Sequence, residues 1–273
     1  MAGLGPAIFF GNPPLMEFAP LFSALSAAQL AFLACAYVFG FVVKGFFGYG
    51  AVPPMILAGS LLMPPHHAVL LAGLINALSQ VFLLPDGLRH GSRKMAGRML
   101  LLVIPGLVVG VLVFKELSSE RLQLVVGLII LLLVFLDGPA LRPYLEPLVR
   151  AWPRAFGAGA ATIAGMLAGI VGAGGMIFLS TYLRFWLTER MQFRGTIILI
   201  VTGLLATRTA LLFGTGLVTT GLLFQALMFA PIGMVGSLVG GWLSRRVSNT
   251  SYFKAYRAFL IVAALLLTLR AMF

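Results

Sequence analysis

Charge is scarce in this chain, and negative charge scarcest of all. Only 10% of its 273 residues are charged, and 7 Asp and Glu stand against 19 Lys and Arg. A water-soluble domain of this length has volume for a core but needs a polar skin, which this composition does not supply. The carboxylates Asp86, Glu116, Glu120, Asp137, Glu146 and Glu189 fall at the ends of apolar runs or between them, and Glu17 lies in the N-terminal lead. None stands mid-run, where Na⁺ or a divalent metal would need oxygen ligands. The single cysteine, Cys35, excludes a disulfide framework, a CxxC redox pair and a Cys-based metal site. Ser/His/Asp arrangements, His/Glu zinc spacings and nucleotide-binding loops are absent too. The chain is therefore expected to be no enzyme and to carry no cofactor or metal.

Apolar residues are what it has in abundance, at 60% of the chain with a mean hydropathy of +1.06. Runs of about 18 residues or more recur, each long enough to cross a hydrocarbon core of about 30 Å. Only helices and closed barrels satisfy the backbone in lipid. The runs are continuous Leu, Ile, Val, Ala and Phe without the alternation of a barrel strand, so an all-α polytopic membrane protein is predicted. The net charge of +12 is scattered over short loops. It reads as a topological signal, with no nucleic-acid partner. No Lys or Arg precedes Lys44, so the lead lacks the basic start of a cleavable signal peptide.

Proline, glycine and charge divide the chain into a lead at 1–24, a first repeat at 25–137, a connector at 138–154 and a second repeat at 155–273. In the first repeat a helix at 25–47 breaks at Gly48-Tyr49-Gly50, a short stretch follows at 51–63, and long segments run through 66–87, 96–114 and 120–137. The second repeat has a helix at 155–171, a break at Gly172-Ala173-Gly174-Gly175, a short stretch at 176–187, and long segments at 189–213, 219–243 and 252–272. Gly45, Gly48 and Gly50 lie 124 positions before Gly169, Gly172 and Gly174, and Pro105 and Gly110 lie 126 positions before Pro231 and Gly236. One two-residue slip aligns the halves.

Lys and Arg concentrate in four loops: Arg89, Arg93, Lys94 and Arg98; Arg142, Arg150 and Arg154; Arg184, Arg190 and Arg194; and Arg245, Arg246, Lys254 and Arg257. Cytoplasmic loops carry the Lys/Arg excess. Placing all four inside, and the loops at 64–67, 115–120 and 214–218 outside, requires five segments per half. The halves are then inverted, with both termini periplasmic. A helix of about 12 residues reaches only about 18 Å, so 51–63 and 176–187 are read as short arms of re-entrant or broken-helix hairpins.

Paired breaks at matching positions of inverted halves point to a transporter's central site. Glycine turns bare backbone N–H groups, and a helix N-terminus adds partial positive charge, which suits an anion. The competing reading is that these glycines only let helices pack closely. Lys44, one turn before the first break, and Arg208, within 189–213, are cations far from any acid in sequence. Either they reach an interface or they face a cavity that takes a negative ligand. Asn76 and Gln80 share a helical face, and Thr202 and Thr207 lie at the same depth on the equivalent helix. These groups can hold an oxyanion or merely hydrogen-bond between helices. His66 and His67 read as an interfacial cap at a helix start, with proton carriage as the alternative.

The motifs Gly48-Tyr49-Gly50-Ala51 and Gly172-Ala173-Gly174-Gly175, each opening a duplicated half, resemble those of the TauE/SafE family of sulfite and organosulfonate exporters. The resemblance covers about residues 25–272, and the first motif departs from the family's richer glycine run in having Tyr49 and Ala51. It implies a multi-pass protein of a bacterial inner membrane that exports, or in some members takes up, small oxyanions. The expected reading is a secondary anion transporter, with an anion-selective channel as the alternative. The expected site residues are Lys44, Gly48, Tyr49, Gly50, Asn76, Gln80, Gly172, Gly174, Gly175, Thr202, Thr207 and Arg208. The expected partners are a small anionic substrate and membrane lipid, with a homodimer left open.

Overall fold

The fold is that of a computed structural model describing residues 25–118, 121–122, 125, 147, 149–172, 175–252, 254–255 and 258. Among these residues the structure is helical, without strands. The expected segments 120–137 and 252–272, the lead 1–24 and the connector 138–154 lie wholly or largely outside the described residues.

Each helix begins and ends for a local reason. Helix α1 (Ala27–Phe47) opens on a reciprocal cap in which Ser26 and Gln29 bond each other's backbone N–H. It stops at Gly48, whose φ of 91° is left-handed, and Lys44 lies in its last turn, where the helix dipole favours a cation. Gly50 is also left-handed, at φ 103°. Helix α2 (Val52–Gly59) restarts with prolines in its first turn, where their missing N–H groups cost nothing. Helix α3 (Pro65–Gln80) leads to α4 (Leu84–His90) through a bend of 56°. A single segment at 66–87 was the sequence expectation. Pro85 cannot donate to residue 81 and crowds its carbonyl, so the helix bends there. Helix α5 (Arg93–Glu116) is capped by Ser92.

In the second half α6 (Pro153–Val171) ends at Gly172, with φ 103°, and the short α7 (Met176–Trp186) follows. Helix α8 (Arg190–Gly214) is capped by Glu189, and α9 (Thr220–Arg246) by Thr219. Among the described residues, α1, α5, α6, α8 and α9 are each long and apolar enough to cross a membrane, and the bent pair α3–α4 qualifies as a sixth span. Exposed apolar side chains recur along α5 (Leu101, Val109, Leu112) and α9 (Phe224, Leu227, Val235, Leu238), as a lipid-facing surface requires.

Two close helix pairs frame the molecule, α1 against α9 and α5 against α6. In each, glycine lets backbone meet backbone. A Cβ on Gly45 would lie 2.2 Å from the Ser237 carbonyl oxygen, and one on Gly165 would lie 2.1 Å from that of Val103. Lipid gives helices no hydrophobic reason to associate, so such fitted contact and its dispersion energy hold them together. Helices α3 and α8 run between these pairs and touch each other.

Gly165→Leu forces the Val103 backbone aside and is expected to destabilise the fold by about 1–3 kcal/mol. Thermal unfolding in detergent tests this, with Gly97→Ala, where a Cβ meets nothing within 4 Å, as the near-neutral control.

Candidate functional site

Helix α3 is the spine of the polar interior. Gly73, Asn76 and Gln80 recur at i, i+3 and i+7 on one face, and each meets a different partner. Gly73 leaves room for Arg208 of α8: a Cβ there would lie 2.5 Å from the Arg208 Nη1. Gln80, 2% exposed, donates from Nε2 to the Ile198 carbonyl at 3.1 Å and to Thr202 Oγ1 at 3.0 Å. Those two acceptors orient the amide, because only its NH₂ end can face them. Gln80 Oε1 is left buried without a partner, and so is Asn76 Oδ1. A buried acceptor in that state costs about 1–3 kcal/mol.

Arg208 is 2% exposed. Its Nε donates to the Gly169 carbonyl at 3.4 Å, its Cζ stands 5.9 Å from the centroid of the Phe114 ring, and its Nη2 has no hydrogen-bond partner. No carboxylate among the described residues pairs with it. The guanidinium lies beside the second glycine break, 3.8 Å from where a Gly172 Cβ would be. The same hypothetical atom would be 3.4 Å from Val52, the first residue of α2 just after the first break. The two breaks are thus adjacent. A second tie joins them, because Tyr49 OH lies 3.1 Å from Ser180 Oγ of α7.

Lys44 is 1% exposed and donates to the Asn76 carbonyl at 2.7 Å and to Ser79 Oγ at 2.8 Å, fastening the end of α1 to α3. Gly48 packs on α8, where a Cβ would meet the Arg194 carbonyl oxygen and Ile198 at 3.2 Å. Other expected residues are placed apart from this cluster. Thr207 is half-buried and donates to the Gly203 carbonyl of its own helix at 2.9 Å. Gly175 is a packing glycine, with a Cβ position 2.2 Å from the Ala164 carbonyl oxygen. Gly174 lies outside the described residues. His67 does more than cap its helix: it is buried, with Nε2 2.8 Å from Gln225 Oε1 of α9, while the His66 ring packs on Phe114 with centroids 5.1 Å apart.

Arg194 corrects one expectation. Sequence placed it among loop cations, yet it lies inside α8 at 1% exposure. Its Nη1 meets Asp86 Oδ2 at 2.9 Å, and its Nε and Nη2 donate to the Gly45 carbonyl at 3.0 and 2.7 Å. Arg245 of α9 meets both Asp86 oxygens at 2.8 and 2.9 Å. One carboxylate on α4 therefore joins α8 and α9 to the end of α1. Gly73 and Ser79 were legible as neighbours of Asn76 on the helix, but Asp86, Arg194, Phe114 and Ser180 act across more than 90 residues of chain, and no local pattern marks them.

Spanning helices around a cation-bearing polar seam define a multi-pass membrane protein. The chain belongs to the sulfite exporter TauE/SafE family, whose model matches residues 32–268. Members of that family are membrane transporters of the sulfite and organosulfonate type, and they are not enzymes. A small anionic substrate goes with that membership. No curated protein and no solved structure matches the chain.

Asp86→Asn leaves Arg194 buried without its carboxylate and is expected to cost about 3 kcal/mol, near the low end for a broken buried pair because Asp86 keeps some exposure. Arg245→Gln should cost well under half of that, since the Arg245 side chain is 59% exposed and solvent screens it. Melting temperatures of the two variants test the order.

Proposed function

We propose that the chain is a secondary transporter that exports a small oxyanion, such as sulfite or an organosulfonate, across a bacterial inner membrane. The anion binds where the two glycine breaks meet, at Arg208, Lys44, Gly172 and the α3–α8 seam. Residues 25–137 and 155–273 are two inverted repeats, the short arms α2 and α7 are the returning limbs of broken-helix hairpins, and both termini are periplasmic.

Arg208 carries this reading: a buried guanidinium beside the second break, unpaired by any acid among the described residues, with its Nη2 free. A cation taken out of water costs several kcal/mol and asks for a compensating anion. Packing between the halves supports the repeat. Helix α1 of the first half pairs with α9 of the second, and their counterparts α6 and α5 pair in the same way. Helices α3 and α8 correspond in the alignment and run antiparallel, since Gly73 meets Arg208 while Gln80 meets Ile198 and Thr202. Antiparallel counterparts are what an inverted duplication generates.

Saturable sulfite flux is expected in proteoliposomes holding the purified chain. Arg208→Gln should lower it about 30-fold or more, because removing a buried charge from its partner costs about 2–5 kcal/mol. Wild-type flux in that variant would remove Arg208 from the site. For the topology, single cysteines within 88–98 and within 214–218 should label from opposite sides of the membrane. Labelling from one side would end the inverted-repeat model.

A further inference from the structure

The α3–α8 seam presents two kinds of uncommitted polar atom, and they lie at different levels. At one level lies Arg208, whose Nη1 stands beside Gly73 and whose Nη2 is an uncommitted donor. Asn76 Oδ1 lies about one turn along α3 and Gln80 Oε1 about one turn further, so the seam runs about 10 Å from Gly73 to Gln80. Both oxygens are buried and have no partner. Thr202 cannot donate to Gln80, because its hydroxyl already donates to the Ile198 carbonyl at 2.7 Å while accepting from Gln80 Nε2. Ser79 cannot serve Asn76 Oδ1 either, since its hydroxyl donates to the Asn76 carbonyl at 3.0 Å.

A bare oxyanion has only acceptors. It would satisfy Arg208 but leave the Gln80 oxygen, held in place by the two acceptors on its NH₂, unmet or repelled. Building on the anion site proposed above, we infer that Asn76 and Gln80 read a hydrogen-bond donor on the substrate, so that this chain prefers an oxyanion bearing a hydroxyl over one with acceptors alone. Singly protonated sulfite and a hydroxyalkanesulfonate share that chemistry. The longer molecule can place its anionic group on Arg208 and its hydroxyl against the amides. A cationic donor is selected against, because the Lys44 ammonium is bonded to the Asn76 carbonyl and to Ser79 on the same stretch of α3.

Purified full-length chain in proteoliposomes tests this through competition against labelled sulfite flux by ethanesulfonate, 2-hydroxyethanesulfonate and 2-aminoethanesulfonate. The hydroxyl compound should compete about 5- to 100-fold better than ethanesulfonate, the range set by satisfying one buried acceptor. The amino compound should not outrank the hydroxyl one. Asn76→Leu removes an amide that holds nothing else and should bring the hydroxyl preference down toward about one; Gln80→Met should do the same. A second arm follows sulfite flux with pH: flux tracking the singly protonated ion supports donor reading of sulfite itself, and flux tracking the fully ionised form overturns it for sulfite. Equal competition by ethanesulfonate and 2-hydroxyethanesulfonate overturns the inference while leaving the anion site standing. A preference that survives in both variants overturns the assignment to these oxygens. Absence of sulfite flux and of all competition sinks the anion site itself.

Discussion

A guanidinium buried among apolar helices, with no carboxylate among the described residues to neutralise it, is the constraint that organises the interior. Arg208 reaches its position because residue 73 of α3 has no side chain and because Phe114 places an aromatic face near its charge. Its Nε finds only the Gly169 carbonyl, a group released as α6 runs out at its break. The glycine break and the cation therefore lie side by side. The break supplies a carbonyl and a bend, and irregular backbone is tolerated in this position because it is buried in protein and shielded from lipid.

The three buried cations differ in what they have been given. Arg194 is matched by Asp86, which also takes Arg245, and its remaining donors are spent on the end of α1. Its charge is consumed in joining four helices. Lys44 has a backbone carbonyl and a hydroxyl, and Arg208 has one long contact to a carbonyl. These partners orient a charge without cancelling it. Arg208 is therefore left without an acid among the described residues, while Asp86 answers Arg194 directly and shares its oxygens with Arg245. In a low-dielectric interior such an uncompensated charge acts over several ångströms on any anion that enters.

Around this seam the glycine-lined pairs α1–α9 and α5–α6 act as two stiff plates. Their contact is backbone on backbone, at separations that leave no room for a Cβ at Gly45 or Gly165. Helices α3 and α8 carry the polar groups between the plates and are held to each other by the Gln80 and Arg208 contacts. The closing of each plate across the two halves means that neither half can bury its first helix alone.

Length, hydropathy and loop charge by themselves determined that the chain is helical, spans a membrane repeatedly and breaks at two glycine runs. Each of these is written locally, in about 18 apolar residues, a proline or a left-handed glycine. Membership in an anion-exporting family was legible in the same two runs. The bend at Pro85 was readable in principle, because a mid-helix proline acts on its own preceding turn. Which polar residues work together was decided only by tertiary structure. Asp86 and Arg194 are 108 residues apart, and nothing near Arg194 distinguishes it from a loop cation until Asp86 arrives through the packing of α4 on α8. Gln80 and Thr202 looked equivalent to Thr207 in sequence, yet two of the three bond each other and the third turns back to its own helix. Side-chain pairing depends on which faces the helices present to one another, and that choice is made by glycine contacts spread along the whole chain.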